Sequence, residues 1–291
     1  MEFRVLGPLS ATASGVDRAP TAPKQRQMLA LLLLNANRTV SRAQLVEELW
    51  EYSPPSSAIA AVHTYVMQLR RTLSGCGARG VEGAGRLLTR HQGYQLVVEP
   101  GDLDLDVYEG RVTLARDILA RGELHRGAEQ LRAAEDMWRG DLLVDVVPGP
   151  LLQAAMEVID RDRLAAVSRR IHTDLQLGRH HELLGELRAL THQHPTHEDL
   201  ASHLMIALYR CGRQADALDA YHRLRLALRA ELGAQPSPRL GELHGDMLAA
   251  HPRLELPSGV WGALSLSLDL AVAPFGAAAA RAGATAVSLS G

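Results

Sequence analysis

The chain has 291 residues, of which 46% are hydrophobic, 22% charged and 4% aromatic. That is the composition of a soluble globular chain with more than one average domain and cores built from Leu, Ala and Val. Its two cysteines, Cys76 and Cys211, lie too far apart for metal-ligand spacing and fit a reducing compartment. No basic stretch and apolar core follow Met1, and the apolar run Leu29–Leu34 is far shorter than a membrane span, so a signal peptide and a spanning helix are excluded and a cytoplasmic protein is expected. The formal net charge of −2 hides an asymmetry. Residues 1–100 carry 11 basic and 7 acidic side chains, a balance of +4, and the remainder 20 and 26, a balance of −6. A mildly basic front with an acidic rear suits a chain whose front alone meets a polyanion.

Residues 2–9, Glu-Phe-Arg-Val-Leu-Gly-Pro-Leu, read as a strand ended by a Gly-Pro breaker. After a Gly/Ala/Ser stretch, Lys24–Asn35 reads as a buried helix. Ser41 with Gln44 forms a capping box that opens a second helix ending near Trp50. Ser53-Pro54-Pro55-Ser56 breaks the chain, and Ser56 or Ser57 caps a third helix running to about Ser74. Beyond a Gly-rich turn, Gly75–Gly85, the runs Leu87–Arg90 and Tyr94–Val98 flank His91-Gln92-Gly93 as a hairpin, with Gly93 able to take a positive φ in the turn. A strand, three helices and a hairpin make a winged helix-turn-helix, closed by Pro100-Gly101.

From Leu103 to Ala250 the pattern is helical, broken at Gly122, Gly140, Pro148–Pro150, Gly178, Pro195, Gly212 and Gly233–Pro236. Leu177-Gly178-Arg179-His180 recurs as Cys211-Gly212-Arg213-Gln214 at an offset of 34 residues, the tetratricopeptide period. Stacked helical hairpins or a non-repeating bundle both fit. The expected fold class is therefore mainly α with a small β component, a winged helix followed by tetratricopeptide-like helices. Domain limits of 1–100 and 103–252 are expected, with a low-complexity tail over 253–291.

The third helix carries the candidate chemistry. Val62, Val66, Leu69 and Leu73 make one apolar stripe, and Ser57, Ala60, Thr64, Gln68 and Arg71 lie opposite. Such a helix can pack on two others and still enter a major groove. There Thr64, Gln68 and Arg71 supply donors to bases or phosphates, and His63 and Arg70 flank the stripe at phosphate height. Arg90 and His91 at the hairpin tip are placed to reach a minor groove or phosphate.

With these residues laid out, the chain resembles the Streptomyces antibiotic regulatory protein family of transcription activators. The matching runs are Phe3–Leu9, Gln25-Arg26 before Leu29–Leu33, Leu45–Trp50, Pro54-Pro55, Thr64-Tyr65-Val66, Leu69-Arg70-Arg71 and Gly93-Tyr94. They continue with Leu177–His180, His194-Pro195, Ala207–Arg210, Gly212-Arg213-Gln214 and Glu231-Leu232-Gly233, so that the resemblance covers residues 2–252. It implies an OmpR-like winged helix joined to a bacterial transcriptional activation domain. It also implies binding, as dimers or tandem protomers, to direct repeats near promoters of secondary-metabolite (antibiotic) gene clusters. Contact with RNA polymerase and its principal sigma factor is implied too, with the Trp50–Pro55 loop (Trp50, Glu51, Tyr52) as the polymerase-contact candidate. Glu51-Tyr52-Ser53 departs from the small acidic residues common in that loop. Ala60 and Ala61 replace basic or polar residues of some relatives.

Enzymatic readings are weaker. His180, His181, His192, His194, His197 and His203 cluster without a cysteine or matched carboxylates, and read as turn and packing residues rather than a metal site. Asp102, Asp104 and Asp106 lack the Gly and Glu of a calcium loop and read as a solvated acidic linker. No nucleophile elbow, dinucleotide fingerprint or phosphate-binding loop is present, so no enzyme activity and no cofactor is expected. The competing readings are a repeat-type protein-interaction module and a ligand-gated regulator, in which the winged helix serves docking or dimerisation.

Overall fold

The structure, a computed structural model, describes residues 1–74 and 86–254. The Gly-rich turn Gly75–Gly85, Cys76 and the expected tail from residue 255 onward lie outside them. The first residues of that expected tail belong to the fold, since Pro252–Leu254 form a 3-10 turn that buries Leu254.

The single strand expected over residues 2–9 is instead the start of a three-stranded antiparallel sheet. It comprises β1 (Glu2–Arg4), β2 (Ser10–Ala13) and β3 (Val16–Asp17), in the order β1-β2-β3. Ala13 pairs with Val16, and the two residues between them, Ser14 and Gly15, both have positive φ (50° and 77°). This is the two-residue hairpin turn whose twist matches that of the strands. Three helices follow, α1 (Pro23–Leu34), α2 (Arg42–Trp50) and α3 (Ala58–Ser74). Pro23 stands at the first turn of α1, where its missing N–H costs nothing. The capping box of α2 forms as expected: Gln44 N–H donates to Ser41 Oγ at 3.2 Å, and Ser41 N–H to Gln44 Oε1 at 2.9 Å. A second sheet of β4 (Thr39–Ser41), β6 (Gly93–Leu96) and β5 (Leu87–Arg90) has β6 in the middle.

The rear half is built from α4 (Asp104–Ala120), α5 (Leu124–Glu135), α6 (Pro150–Gln176), α7 (His180–Gln193), α8 (Glu198–Arg210), α9 (Gln214–Leu232) and α10 (Pro238–Leu248). The repeated Gly-Arg turns are one structural device. Gly178 and Gly212 have φ of 83° and 74°, and the following Arg179 and Arg213 N–H groups reach back five residues to Asp174 and Leu208 carbonyls. This is the Schellman closure of a helix C-terminus. Gly122 (φ 81°) makes a third copy, with Glu123 N–H on Ile118 O at 3.3 Å. Ala250 (φ 46°) makes a fourth, with His251 N–H on Asp246 O at 2.9 Å, in a conformation that disfavours its side chain. The rear half is thus a stack of helical hairpins.

The packing does not divide where the fold type changes. One hydrophobic core runs from Phe3 through the winged helix into Tyr108, Val112, Leu142, Leu143, Leu152 and Ala166. A second runs from Ile171 to Leu254. The expected boundary at residues 100–103 is therefore a boundary of architecture inside one core. Backbone bonds cross it: Phe3 N–H donates to Asp102 O at 2.6 Å, Arg139 N–H to Leu6 O at 2.8 Å and Leu143 N–H to Val5 O at 3.1 Å. Of the three aspartates read as a solvated linker, Asp106 is exposed, but Asp102 and Asp104 are clasps. Asp104 accepts from Val5 N–H (2.8 Å) and Leu6 N–H (3.2 Å), and Asp102 pairs with Arg86. Burial raises the Asp104 carboxyl above its ordinary value, against the bonds from Val5 and Leu6 that lower it.

A buried ionic knot joins the two cores. Asp174, with its side chain fully buried, accepts from Arg132 (2.6 Å), Arg170 (3.2 Å) and Arg179 (2.9 Å). Arg170 also reaches Glu135 and Glu186, so α5, α6 and α7 are tied at one point.

Candidate nucleic-acid interface

Helix α3 divides as its wheel predicts. Val62, Val66, Leu69 and Leu73 are buried in the first core, while Ala60, His63, Thr64, Gln68 and Arg71 are exposed. Ser57 lies one residue before the helix, exposed, and its carbonyl accepts from Ala61 N–H at 2.9 Å. No acidic residue occurs anywhere on α3, so nothing on this helix repels a phosphate.

The polar groups of that face are partly engaged with the protein. Thr64 Oγ1 donates back to Ala60 O at 3.0 Å, which uses its proton and leaves its oxygen as an acceptor. Gln68 Oε1 accepts from Gln25 Nε2 of α1 at 2.8 Å, which fixes the Gln68 amide with its NH2 group as the donor. Arg71 is exposed in the last turn. Arg70 has a different role from the one its sequence position suggested. It is half-buried, its Nε donates to Leu87 O at 2.9 Å and its Nη2 to Thr89 Oγ1 at 2.8 Å. It therefore rivets α3 to strand β5 of the wing. The His63 ring meets the Tyr94 ring of β6 edge-on at 6.5 Å, a second link between helix and wing.

The wing turns at His91 and Gln92, both exposed. Arg90 pairs across the hairpin with Gly93, and its Nε donates to Gln95 Oε1 at 2.7 Å, which holds the guanidinium beside the tip. Gly93 does not need a positive φ. It is glycine because the neighbouring strand β4 comes too close: a Cβ there would sit 1.9 Å from Val40 O. Hence the conformational reason given for Gly93 is replaced by a steric one, close approach of two backbones.

Between α2 and α3, Glu51 takes a positive φ (52°) and ψ of −117°, a sparsely populated conformation. Trp50 is half-buried and stacks on Tyr65 of α3, with ring centroids 6.4 Å apart and planes 20° apart. It anchors the loop. Tyr52 is 98% exposed. The loop therefore presents Glu51 and Tyr52 outward and keeps Trp50 as its foot.

This loop is held from behind by the rear half. Glu48, 1% exposed, places its carboxylate at the N-terminus of α6. It accepts from Gly149 N–H (2.7 Å), Leu151 N–H (3.0 Å), Leu152 N–H (2.9 Å) and Gln27 Nε2 (3.1 Å). A carboxylate there satisfies donors that the helix cannot pair internally and meets the positive end of its dipole. Gly149 has no room for a side chain, since a Cβ would lie 2.1 Å from Glu48 O. Sequence reading missed this clamp because its partners are about 100 residues apart and neither half forms a local motif.

Of the clustered histidines, His180, His197 and His203 serve packing and capping, while His181, His192 and His194 are exposed. His197 Nδ1 accepts from Leu200 N–H at 3.4 Å and caps α8, His180 begins α7 and His194 ends it. His203 lies in the second core, 5.7 Å from the His172 ring. Burial, then the neighbouring His172 and His197, push its pKa down to about 3. Burial similarly takes His180 down to about 4. Among the described residues no three His, Cys, Asp or Glu side chains are grouped to hold a metal ion, and no helix is long and apolar enough to cross a membrane.

Residues 17–96 match the family described as transcriptional regulatory protein, C terminal, and residues 103–248 match the bacterial transcriptional activator domain family. The chain is similar to the regulatory protein DnrI of Streptomyces peucetius, at 40% identity over 88% of this chain and 94% of that protein. It is also similar to the regulatory protein AfsR of Streptomyces coelicolor, at 39% identity over 87% of this chain but only 25% of that longer protein. Among solved structures it resembles Mycobacterium tuberculosis EmbR in complex with a low affinity phosphopeptide. The TM-score is 0.79 at 34% identity, covering 86% of this chain and 65% of that one.

Proposed function

The chain belongs to the Streptomyces antibiotic regulatory protein family of transcription activators, and on that premise we propose that its winged helix binds promoter DNA sequence-specifically through α3 and the β5–β6 wing. One observation carries this reading: an acid-free, solvent-facing side of α3 lies beside a wing that Arg70 fixes to it. In this reading Ser57, His63, Thr64 and Gln68 face base edges, while Arg71, Arg90 and His91 lie against phosphates. Arg70 supports both elements from within. Direct repeats near the promoters of a secondary-metabolite gene cluster are the expected operator, bound by tandem protomers in the cytoplasm, at the nucleoid. The exposed Glu51-Tyr52 tip, footed on Trp50, is the proposed contact for RNA polymerase and its principal sigma factor.

The test is footprinting of the full chain on the promoters flanking its gene. Protection of repeated sequence elements, with an affinity that falls steeply as salt rises, supports the reading. Absence of protection on every flanking promoter, together with no retention of any duplex from a random pool, overturns it.

A further inference from the structure

The outward face of α3 holds two large apolar side chains that the core does not explain, and for one of them, Ile59, helix formation does not either. Ile59 is 55% exposed and Met67 is 52% exposed. Neither belongs to the hydrophobic cores, and a β-branched Ile is a poorer helix former than Ala, Glu or Lys at an exposed position. They sit eight residues apart, just over two helical turns, with Met67 among Ala60, His63, Thr64, Gln68 and Arg71 and Ile59 at the edge of that face beside His63. The hydroxyl of Thr64 is turned back onto Ala60 O, so Met67, Ala60 and the Thr64 methyl give the middle of the face an apolar surface, which Ile59 extends at the flank nearest the buried stripe. His63, Gln68 and Arg71 form its polar surround.

A groove floor offers one apolar group to such a surface. Of the base edges in the major groove only thymine carries one, its 5-methyl. We propose that Ile59 and Met67 are specificity-determining residues that read thymine methyl groups in the operator. This inference rests on the DNA-binding reading above. Ile59, near the N-terminus of α3, enters the groove first. Met67, with its flexible thioether, adapts to a second methyl. Eight residues of helix span about 12 Å, and base pairs rise about 3.4 Å each, so the two thymines lie about three to four base pairs apart.

The experiment uses a duplex that the full chain itself selects from a random pool. Each thymine of the selected duplex is replaced singly by deoxyuridine, which removes the methyl and keeps every hydrogen-bonding group, and affinity is measured at fixed salt. Wild-type protein should lose about fourfold at each of two positions, the value of one buried methyl or methylene. Ile59→Ala should abolish the loss at one position and Met67→Ala at the other. Both side chains are exposed, so neither variant should alter the melting temperature. Full affinity on every deoxyuridine duplex overturns the thymine inference while leaving DNA binding intact, as does an equal loss in wild type and in the double variant. So does a pair of variants that bind DNA normally yet fail to activate transcription, which would make this face a protein contact. If no duplex is retained, the DNA-binding reading falls and takes this inference with it.

Discussion

Replacing Glu48 tests how the two halves are held together. Glu48→Ala leaves three N–H groups at the start of α6 without their acceptor, while Gln27 Nε2 loses one of two bonds and keeps the one to Glu48 O. A buried donor left unpaired costs about 1–3 kcal/mol, and losing a carboxylate from a helix N-terminus costs about 0.5–2 kcal/mol. Water entering the space left by the side chain restores part of this. The carboxylate's own burial penalty is also relieved, so the net loss expected is about 3–5 kcal/mol, the range for breaking a buried charged contact. In a domain of this size that is a fall of about 10 °C in melting temperature. Glu48→Gln separates chemistry from packing. It has nearly the same shape but one carbonyl oxygen for four donors, and its NH2 group meets them donor to donor. It should lose about 2–3 kcal/mol. The assay is reversible denaturation followed by circular dichroism and by tryptophan fluorescence, since Trp50 and Trp138 pack against the first core. A Glu48→Gln variant within about 0.5 kcal/mol of wild type would refute the clamp as a stabilising contact. If the variant melted in two separated steps, Glu48 would be needed for cooperativity between the halves.

Three further predictions are open to measurement. Gly93→Ala must part β4 from β6, because the new Cβ would fall 1.9 Å from Val40 O. A loss of about 2–4 kcal/mol is expected in denaturation, with DNA affinity lost alongside through the displaced wing. Arg71→Ala and Arg90→Ala should weaken binding to all duplexes alike and each lower the slope of log affinity against log salt by about 1; an unchanged slope places that arginine away from phosphate. His203 gives a pH dependence. Its pKa is pushed down to about 3 in the folded chain against about 6.5 unfolded. From pH 6.5 down to about 3 the unfolded chain holds a proton that the folded chain does not, so stability falls on acidification through that window by up to about 1.4 kcal/mol per pH unit. His180 acts in the same direction. Urea denaturation at pH 7 and pH 5 should show a loss that His203→Leu reduces by about 2 kcal/mol, and a pH response equal in wild type and variant would show that His203 does not cause it.

Local rules were legible in the amino-acid sequence because their physics is local. The Ser41–Gln44 capping box, the Val62–Leu73 stripe, the Gly178 and Gly212 turns and the β5–β6 hairpin each depend on residues within one or two turns of the chain. The family resemblance, read from ordered motifs over residues 2–252, identified the activator. The Ser14-Gly15 turn was equally local but its strands, at four and two residues, were too short to show alternation. What only the tertiary structure decided is where the long-range partners meet. Arg70 spans to the wing, Asp104 clasps Val5 and Leu6 just after β1, Glu48 caps a helix that begins about 100 residues later, and Gly93 lies hard against β4. None of these follows from spacing, because a hydrogen bond or a steric approach between distant segments is fixed by how the whole core packs. The same distinction applies to α3. Periodicity told which side faces outward, but only solvent exposure in the folded chain shows that Ile59 and Met67 share that side with the polar residues.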